Sequence, residues 1–324
     1  MTKNFSLVGV MEISKVEDIQ KILILGAGTM GRQIALQCAL YGYTVALYDL
    51  NKNVLENAIS QLKDYASYLV AEGTATEAMA ERALSQIEAN ANSEEAATNV
   101  DLVSESVFED PKIKAQVFAK FHQLCPSHTI FTTNTSTLKP SQFAQATGRA
   151  EQFCALHFHN PVISANVVDI MPHSKTSQAT LRVVADFARS IDQIPIILQK
   201  EHNNYVFNNM LSGFLTEALS LVATDIASVE EIDRAWMGVL KTSIGPFGIL
   251  DVIGIDLVYK IYTIQPIWAR LRQGIRKRLR FLKGYVDQGK LGVKTGVGFY
   301  RYPNPLFQEP TFLQGDLPKE ERRD

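Results

Sequence analysis

The chain of 324 residues is 46% hydrophobic and 20% charged, with a formal net charge of −2. That length holds two domains of ordinary size, the composition is that of a globular protein, and a near-zero charge gives no electrostatic footprint for nucleic acid. Three scattered cysteines, Cys38, Cys125 and Cys154, form no CxxC pair and support neither a disulfide framework nor a thiolate metal site. A reducing cytoplasm is therefore expected. No apolar run reaches the roughly 20 residues of a membrane span, and the opening MTKNFSLVGVMEISK lacks the apolar core of a signal peptide.

KILIL (21–25) is a short apolar run ending at a glycine cluster and reads as a buried parallel strand. A helix follows, with Ile34, Ala35, Cys38 and Ala39 on one face. TVALYD (44–49) is the next strand, and a long helical region over about 52–90, rich in Ala, Glu, Gln and Lys, comes after it. VDLVSES (100–106) and TIFTTN (129–134) read as strands around a helix at 112–124. CALHF (154–158) and NVVDI (166–170) read as strands joined by a proline-containing connection, followed by a helix at 180–192 and a strand IPIIL (194–198). This alternation predicts an α/β, Rossmann-type domain over 1–200 built on an open, doubly wound parallel sheet. From about 201 to 324 the periodicity is helical: Phe207, Leu211, Phe214, Leu215, Ala218 and Leu219 recur at helical spacing, and GPFG (245–248) reads as a break between helices. Arg272, Arg276 and Arg280 of the basic segment 270–283 share a helical face, most simply a solvated one. The tail 302–324, with four prolines and a charged end, reads as a poorly ordered extension.

LILGAGTMG carries Gly26, Gly28 and Gly31 in GxGxxG spacing, between a strand and a helix, and Asp49 ends the next strand 23 residues after Gly26. Gly26 permits a tight turn, Gly28 lets backbone approach a pyrophosphate, and Gly31 permits close helix–strand packing. The free N–H groups of the first helical turn, at Thr29 and Met30, favour phosphate charge. A carboxylate at Asp49 accepts from both adenosine ribose hydroxyls and repels a 2′-phosphate, which favours NAD over NADP. The glycine pattern by itself admits FAD as well.

In chain order, GAGTMG (26–31), DLVSESVFED (101–110), NTST (134–137), LHFHNP (156–161), VVDI (167–170), GPFGILDVIGID (245–256) and GVKTGVGFY (292–300) resemble the 3-hydroxyacyl-CoA dehydrogenase family, and within it the 3-hydroxybutyryl-CoA dehydrogenases. The resemblance implies an NAD-binding domain, a helical substrate and dimerisation domain, a homodimer, and oxidation of an L-3-hydroxyacyl-CoA to the ketone. By it, His157 matches the general base and Asp169 stands where the family has a glutamate that orients that base. Ser136 and Asn208 match residues that contact substrate oxygens. Asn160 matches a residue near the nicotinamide, and Glu109, Lys114, Asn134 and Lys294 match positions lining the cofactor. The chemistry is coherent: a hydroxyl losing hydride from its carbon also loses a proton, which a neutral imidazole accepts. The imidazolium then needs a carboxylate, and a developing oxyanion needs neutral donors.

The chain departs from the family at several points. Asp169 is one methylene shorter than glutamate. His159 stands where an aromatic is usual; an H-x-H pair on a strand points both rings to one face, as in metal sites, but no third ligand has a supporting spacing, no metal is expected, and His159 reads as a substitute packing residue or a substrate-pocket residue. Asn203 and Asn204 replace a proline–glycine pair, Asn204 being tolerant of left-handed backbone, and Asn209 replaces an arginine. The helix after Asp49 offers only Lys52 and Lys63, beside Glu56, Asp64 and Glu72, to meet CoA phosphates. VVDIMPH (167–173) and TLKPSQFA (137–144) also resemble the L-gulonate 3-dehydrogenase (lambda-crystallin) branch, to which carnitine dehydrogenases are related. A dehydrogenase of a free hydroxy acid, or a catalytically silent NAD-binding protein, are thus the alternatives.

Overall fold

The computed structural model describes residues 13–264 and 272–315. The chain divides into two compact units between Val206 and Phe207. The first is built on a sheet of β1 (Lys21–Leu25), β2 (Thr44–Tyr48), β3 (Ile87–Asn90), β4 (Leu102–Glu105), β5 (Ile130–Thr133), β6 (Phe153–Phe158), β7 (Val167–Met171) and β8 (Ile194–Ile197), in the order β3-β2-β1-β4-β5-β6-β7-β8. The continuous apolar character of β1 follows from burial on both faces. Ile22 and Ile24 enter one core cluster with Val45, Leu47 and Leu102, whereas Leu23 and Leu25 enter another with Ala46, Val103 and Phe131. A strand covered on both sides has no polar face to alternate. The helices of this unit are α1 (Thr29–Leu40), α2 (Lys52–Ala71), α3 (Glu77–Ser85), the single turn α4 (Ser93–Ala96), α5 (Pro111–Leu124) and α6 (Gln178–Ser190).

Two expectations are corrected here. The region 52–90 is not one helix. It ends at Ala71, turns through Gly73 at φ 71°, restarts at α3 with the Thr76 hydroxyl accepting from the Met79 N–H, and finishes as strand β3. A four-residue edge strand buried only at its ends carries no readable period. The sheet is also not wholly parallel: β6 pairs with β7 antiparallel, and β7 pairs with β8 parallel. The antiparallel register sets His157 opposite Asp169, and the site depends on that pairing.

In the second unit lie α7 (Tyr205–Ala223, whose first two residues belong to the first unit), α8 (Val229–Leu240), α9 (Pro246–Ile253), α10 (Ile255–Thr263) and α11 (Gln273–Asp287). GPFG is the start of a helix, with Gly245 as N-cap and Pro246 at the first position. Asp233 of α8 accepts from the N–H groups of Phe247 and Gly248 and from the Tyr300 hydroxyl. Asp251 accepts from the N–H groups of Phe299 and Tyr300 and from the Tyr302 hydroxyl. A Cβ at Gly298 would fall 1.9 Å from Asp251 Oδ1, so glycine is obligatory there. The segments GPFGILDVIGID and GVKTGVGFY are therefore two halves of one knot around buried carboxylates. The tail is corrected likewise: Phe307 and Phe312 are buried in this unit's core beside Tyr300, and Arg234 donates to the Phe312 carbonyl at 2.7 Å. Residues 316–324 lie outside the described residues, as do residues 270 and 271 of the basic segment. Within α11, Arg278 donates to Ser220 at 2.7 Å and lies over the Tyr262 ring.

Candidate active site

The strand order reverses between β1 and β4, the point where open α/β sheets bind ligands beyond their carboxyl ends. A cavity of about 420 Å³ opens there, lined by Gly26, Gly28, Asp49, Leu50, Ser106 and Phe108 among others. Gly26 has φ 101°, and a Cβ on it would stand 2.7 Å from the Ser106 carbonyl oxygen; on Gly31 it would stand 1.8 Å from the Gly26 oxygen. Gly28 differs, because a Cβ there meets no protein atom within 4 Å. Its missing side chain leaves open space in front of the first turn of α1, which no side chain caps. The amides of Thr29, Met30 and Gly31 in that turn provide the donors a pyrophosphate needs. Asp49 accepts from the Ala27 N–H at 3.0 Å and so also holds the glycine turn. These features fit a dinucleotide.

Beyond the ends of β5 and β6 the polar residues converge. His157 is buried on β6. Its Nδ1 lies 3.2 Å from Asp169 Oδ2 and its Nε2 3.1 Å from Ser136 Oγ. With the carboxylate as partner, Nδ1 carries the proton, and Nε2 keeps a lone pair toward the Ser136 hydroxyl. The one-methylene deficit of Asp169 is thus met by direct strand pairing. The same Oδ2 lies 3.0 Å from Nε2 of His159. Burial works to raise the Asp169 carboxyl, but hydrogen bonds from His157 and His159 outweigh it and hold the group below its ordinary value. One ligand atom each from His157, His159 and Asp169 lies within 4.8 Å of the others. The third potential ligand that sequence spacing fails to show is therefore supplied by strand register. Burial pushes the Cys125 and Cys154 thiols up to about 12, which keeps both protonated.

Ser136 is placed by Glu109, whose Oε1 accepts from the Thr135 hydroxyl, the Ser136 and Thr137 N–H groups, and the Thr137 hydroxyl. Burial opposes the Glu109 charge, but the Thr135 and Thr137 bonds and the Lys114 ammonium outweigh it, so this carboxyl too lies below its usual range. Lys114 is 1% exposed, bound to Glu105 at 2.7 Å and 3.4 Å from Glu109. It lies beneath the surface, bridging two carboxylates. Asn134 Oδ1 accepts from the Phe158 N–H at 2.8 Å and ties the end of β5 to β6. Asn160 Oδ1 accepts from Gln33, which also accepts from the Val162 N–H. Lys294 is paired with Asp256 within the second unit, and Asn208 stands near the start of α7.

Sequence reasoning missed Gln33, Thr135 and Tyr205. The Tyr205 ring stacks on the His157 ring, centroids 4.4 Å apart and planes 7° from parallel, and its hydroxyl donates to the Thr135 carbonyl at 2.7 Å. Nothing in sequence separates that tyrosine from an ordinary core aromatic. The left-handed bend before it survives the loss of proline and glycine: Asn204 has φ 64° and Tyr205 φ 55°.

Comparison with known proteins shows the family of the chain. Residues 21–202 match the family model "3-hydroxyacyl-CoA dehydrogenase, NAD binding domain", and residues 205–302 match "3-hydroxyacyl-CoA dehydrogenase, C-terminal domain". The chain is 31% identical over 291 residues to the mitochondrial hydroxyacyl-coenzyme A dehydrogenase of Sus scrofa, covering 88% of this chain and 91% of that one. It is 30% identical to the 3-hydroxybutyryl-CoA dehydrogenase of Clostridioides difficile, over 87% of this chain and 99% of that one. A solved diketoreductase, described for substrate-directed dual catalysis of dicarbonyl compounds, superposes with a TM-score of 0.81 at 36% identity, covering 88% of this chain and 99% of that one. With an NAD-binding sheet domain, a helical domain and both family models in order, the chain belongs to the 3-hydroxyacyl-CoA dehydrogenase family of NAD-dependent oxidoreductases.

Proposed function

We propose that the protein interconverts an L-3-hydroxyacyl-CoA of short chain and its 3-ketoacyl-CoA, with His157 as the general acid–base. The hydrogen-bonded series Asp169–His157–Ser136 carries this reading, because it presents one unprotonated ring nitrogen beside a hydroxyl donor. In the oxidation direction His157 Nε2 takes the substrate hydroxyl proton, Asp169 stabilises the resulting imidazolium, and the Ser136 hydroxyl holds the substrate oxygen. Asn208 supplies a second neutral donor to that oxygen. Bound NAD supplies the hydride acceptor, held by Gly26, Gly28, Thr29, Met30, Gly31 and Asp49. Asn134, Asn160, Glu109, Lys114 and Lys294 complete the cofactor side of the site, Lys114 through Glu105 and Glu109. A homodimer formed by the helical unit in the cytoplasm completes the reading.

A second reading keeps the hydride chemistry and drops CoA. The 36% identical diketoreductase and the sparse basic residues on α2 favour it. The two separate by assay: NADH oxidation with acetoacetyl-CoA, set beside NAD reduction with L-gulonate and carnitine. Turnover of acetoacetyl-CoA supports the first; turnover of a free acid alone defeats it.

A further inference from the structure

Two imidazoles share one carboxylate oxygen. His157 Nδ1 and His159 Nε2 lie 3.2 and 3.0 Å from Asp169 Oδ2, and the rings meet edge to face with centroids 4.9 Å apart. An aspartate carboxylate rotates about its Cβ–Cγ bond, and a single donor leaves that rotation weakly fixed. Two ring N–H groups arriving from different positions on the chain fix it, and His159 is the shorter bond. The carboxylate is buried, so water does not replace a lost donor. From this we infer that His159 is a positioning residue for the proton-transfer step: it anchors Asp169 in the rotamer that orients His157, and it makes the short aspartate sufficient for that task. The inference rests on the reading of His157 as the acid–base.

The effect of His159 has two opposed parts. Its N–H draws on the Asp169 charge and so weakens the support available to the imidazolium. It also holds the carboxylate against the ring. Orientation wins where the charge stays on the carboxylate in either case, and by comparison the hydrogen-bond partners that orient a metal-bound imidazole are worth on the order of 10-fold in activity.

The test is steady-state kinetics with acetoacetyl-CoA and NADH on the full chain, comparing wild type with H159F, H159Q, D169E, D169E/H159F and, as control, H157Q. For H159F, kcat falls about 10-fold, with KM and NADH affinity within twofold of wild type. H159Q keeps an N–H donor and recovers part of the loss. D169E/H159F exceeds H159F, because a carboxylate one methylene longer reaches His157 without the second anchor. If H157Q is inactive while H159F keeps the wild-type kcat, or if D169E/H159F is no faster than H159F, the positioning role is overturned and the acid–base reading stands. If H157Q turns over at the wild-type rate, both fall.

Discussion

A single carboxylate oxygen of Glu109 gathers four hydrogen bonds from the loop that carries Ser136. That loop has no regular structure of its own, so the position of the Ser136 hydroxyl depends on Glu109. E109A is expected to lower kcat about 100-fold and to cost about 2 kcal/mol of stability, the size of a lost charge-assisted bond; kinetics and urea unfolding check it, and an unchanged kcat would remove Glu109 from the mechanism. S136A keeps the imidazole but removes its hydroxyl neighbour, and about a 100-fold loss in kcat with NADH affinity intact is expected. At this scale much was legible. His157 and Asp169 stood out because LHFHNP and VVDI occur in register with the glycine loop. The parts that did not show are those made by three-dimensional pairing: His159 reaching Asp169 across the β6–β7 register, and Tyr205 stacking on His157.

Among the elements, buried apolar runs such as β1 and the glycine turn read well from sequence because strand, turn and helix each left a separate mark. The strand β3 and the aromatic tail did not. β3 is too short to show a period, and prolines and charges around 302–324 mask Phe307 and Phe312. At the turn, G26A forces a Cβ to 2.7 Å from a backbone oxygen at φ 101°, and NADH affinity measured by fluorescence is expected to drop at least 10-fold. In the helical unit, burial pushes the Asp233 carboxyl up to about 6 against the bonds from Phe247, Gly248 and Tyr300. The folded state then binds a proton more tightly than the unfolded chain, whose ordinary value is 3.8, so stability falls as pH rises from about 4 to 6. The difference between about 6 and 3.8 corresponds to about 3 kcal/mol. Urea unfolding at pH 4 and pH 7 checks this: the stability of D233N relative to wild type is expected to improve by that amount at the higher pH, and no change across the window would refute the assignment.

For the whole molecule, the alternation of strands and helices followed by helical periodicity was enough to place a sheet domain before a helical one. Oligomeric state was not readable in that way, since an interface and a solvated face carry similar residues. The helical unit leaves Val252 of α9 65% exposed, and Leu257 and Ile261 of α10 half exposed four residues apart, so that they share one helical face. That apolar face is what a self-complementary interface requires. Light scattering is expected to give twice the 36.1 kDa chain mass for wild type and the chain mass for L257D/I261D; a monomeric wild type would contradict the dimer.

The central claim is that His157 moves the proton in an NAD-dependent reaction of a 3-hydroxyacyl-CoA. NADH oxidation with acetoacetyl-CoA by wild type and H157Q tests it most directly. The expected result is turnover by wild type and a loss of at least 1,000-fold in kcat for H157Q, within the 10²–10⁴-fold range of general acid–base catalysis, with NADH affinity retained. A wild type that leaves acetoacetyl-CoA untouched, or an H157Q variant as fast as wild type, would contradict it.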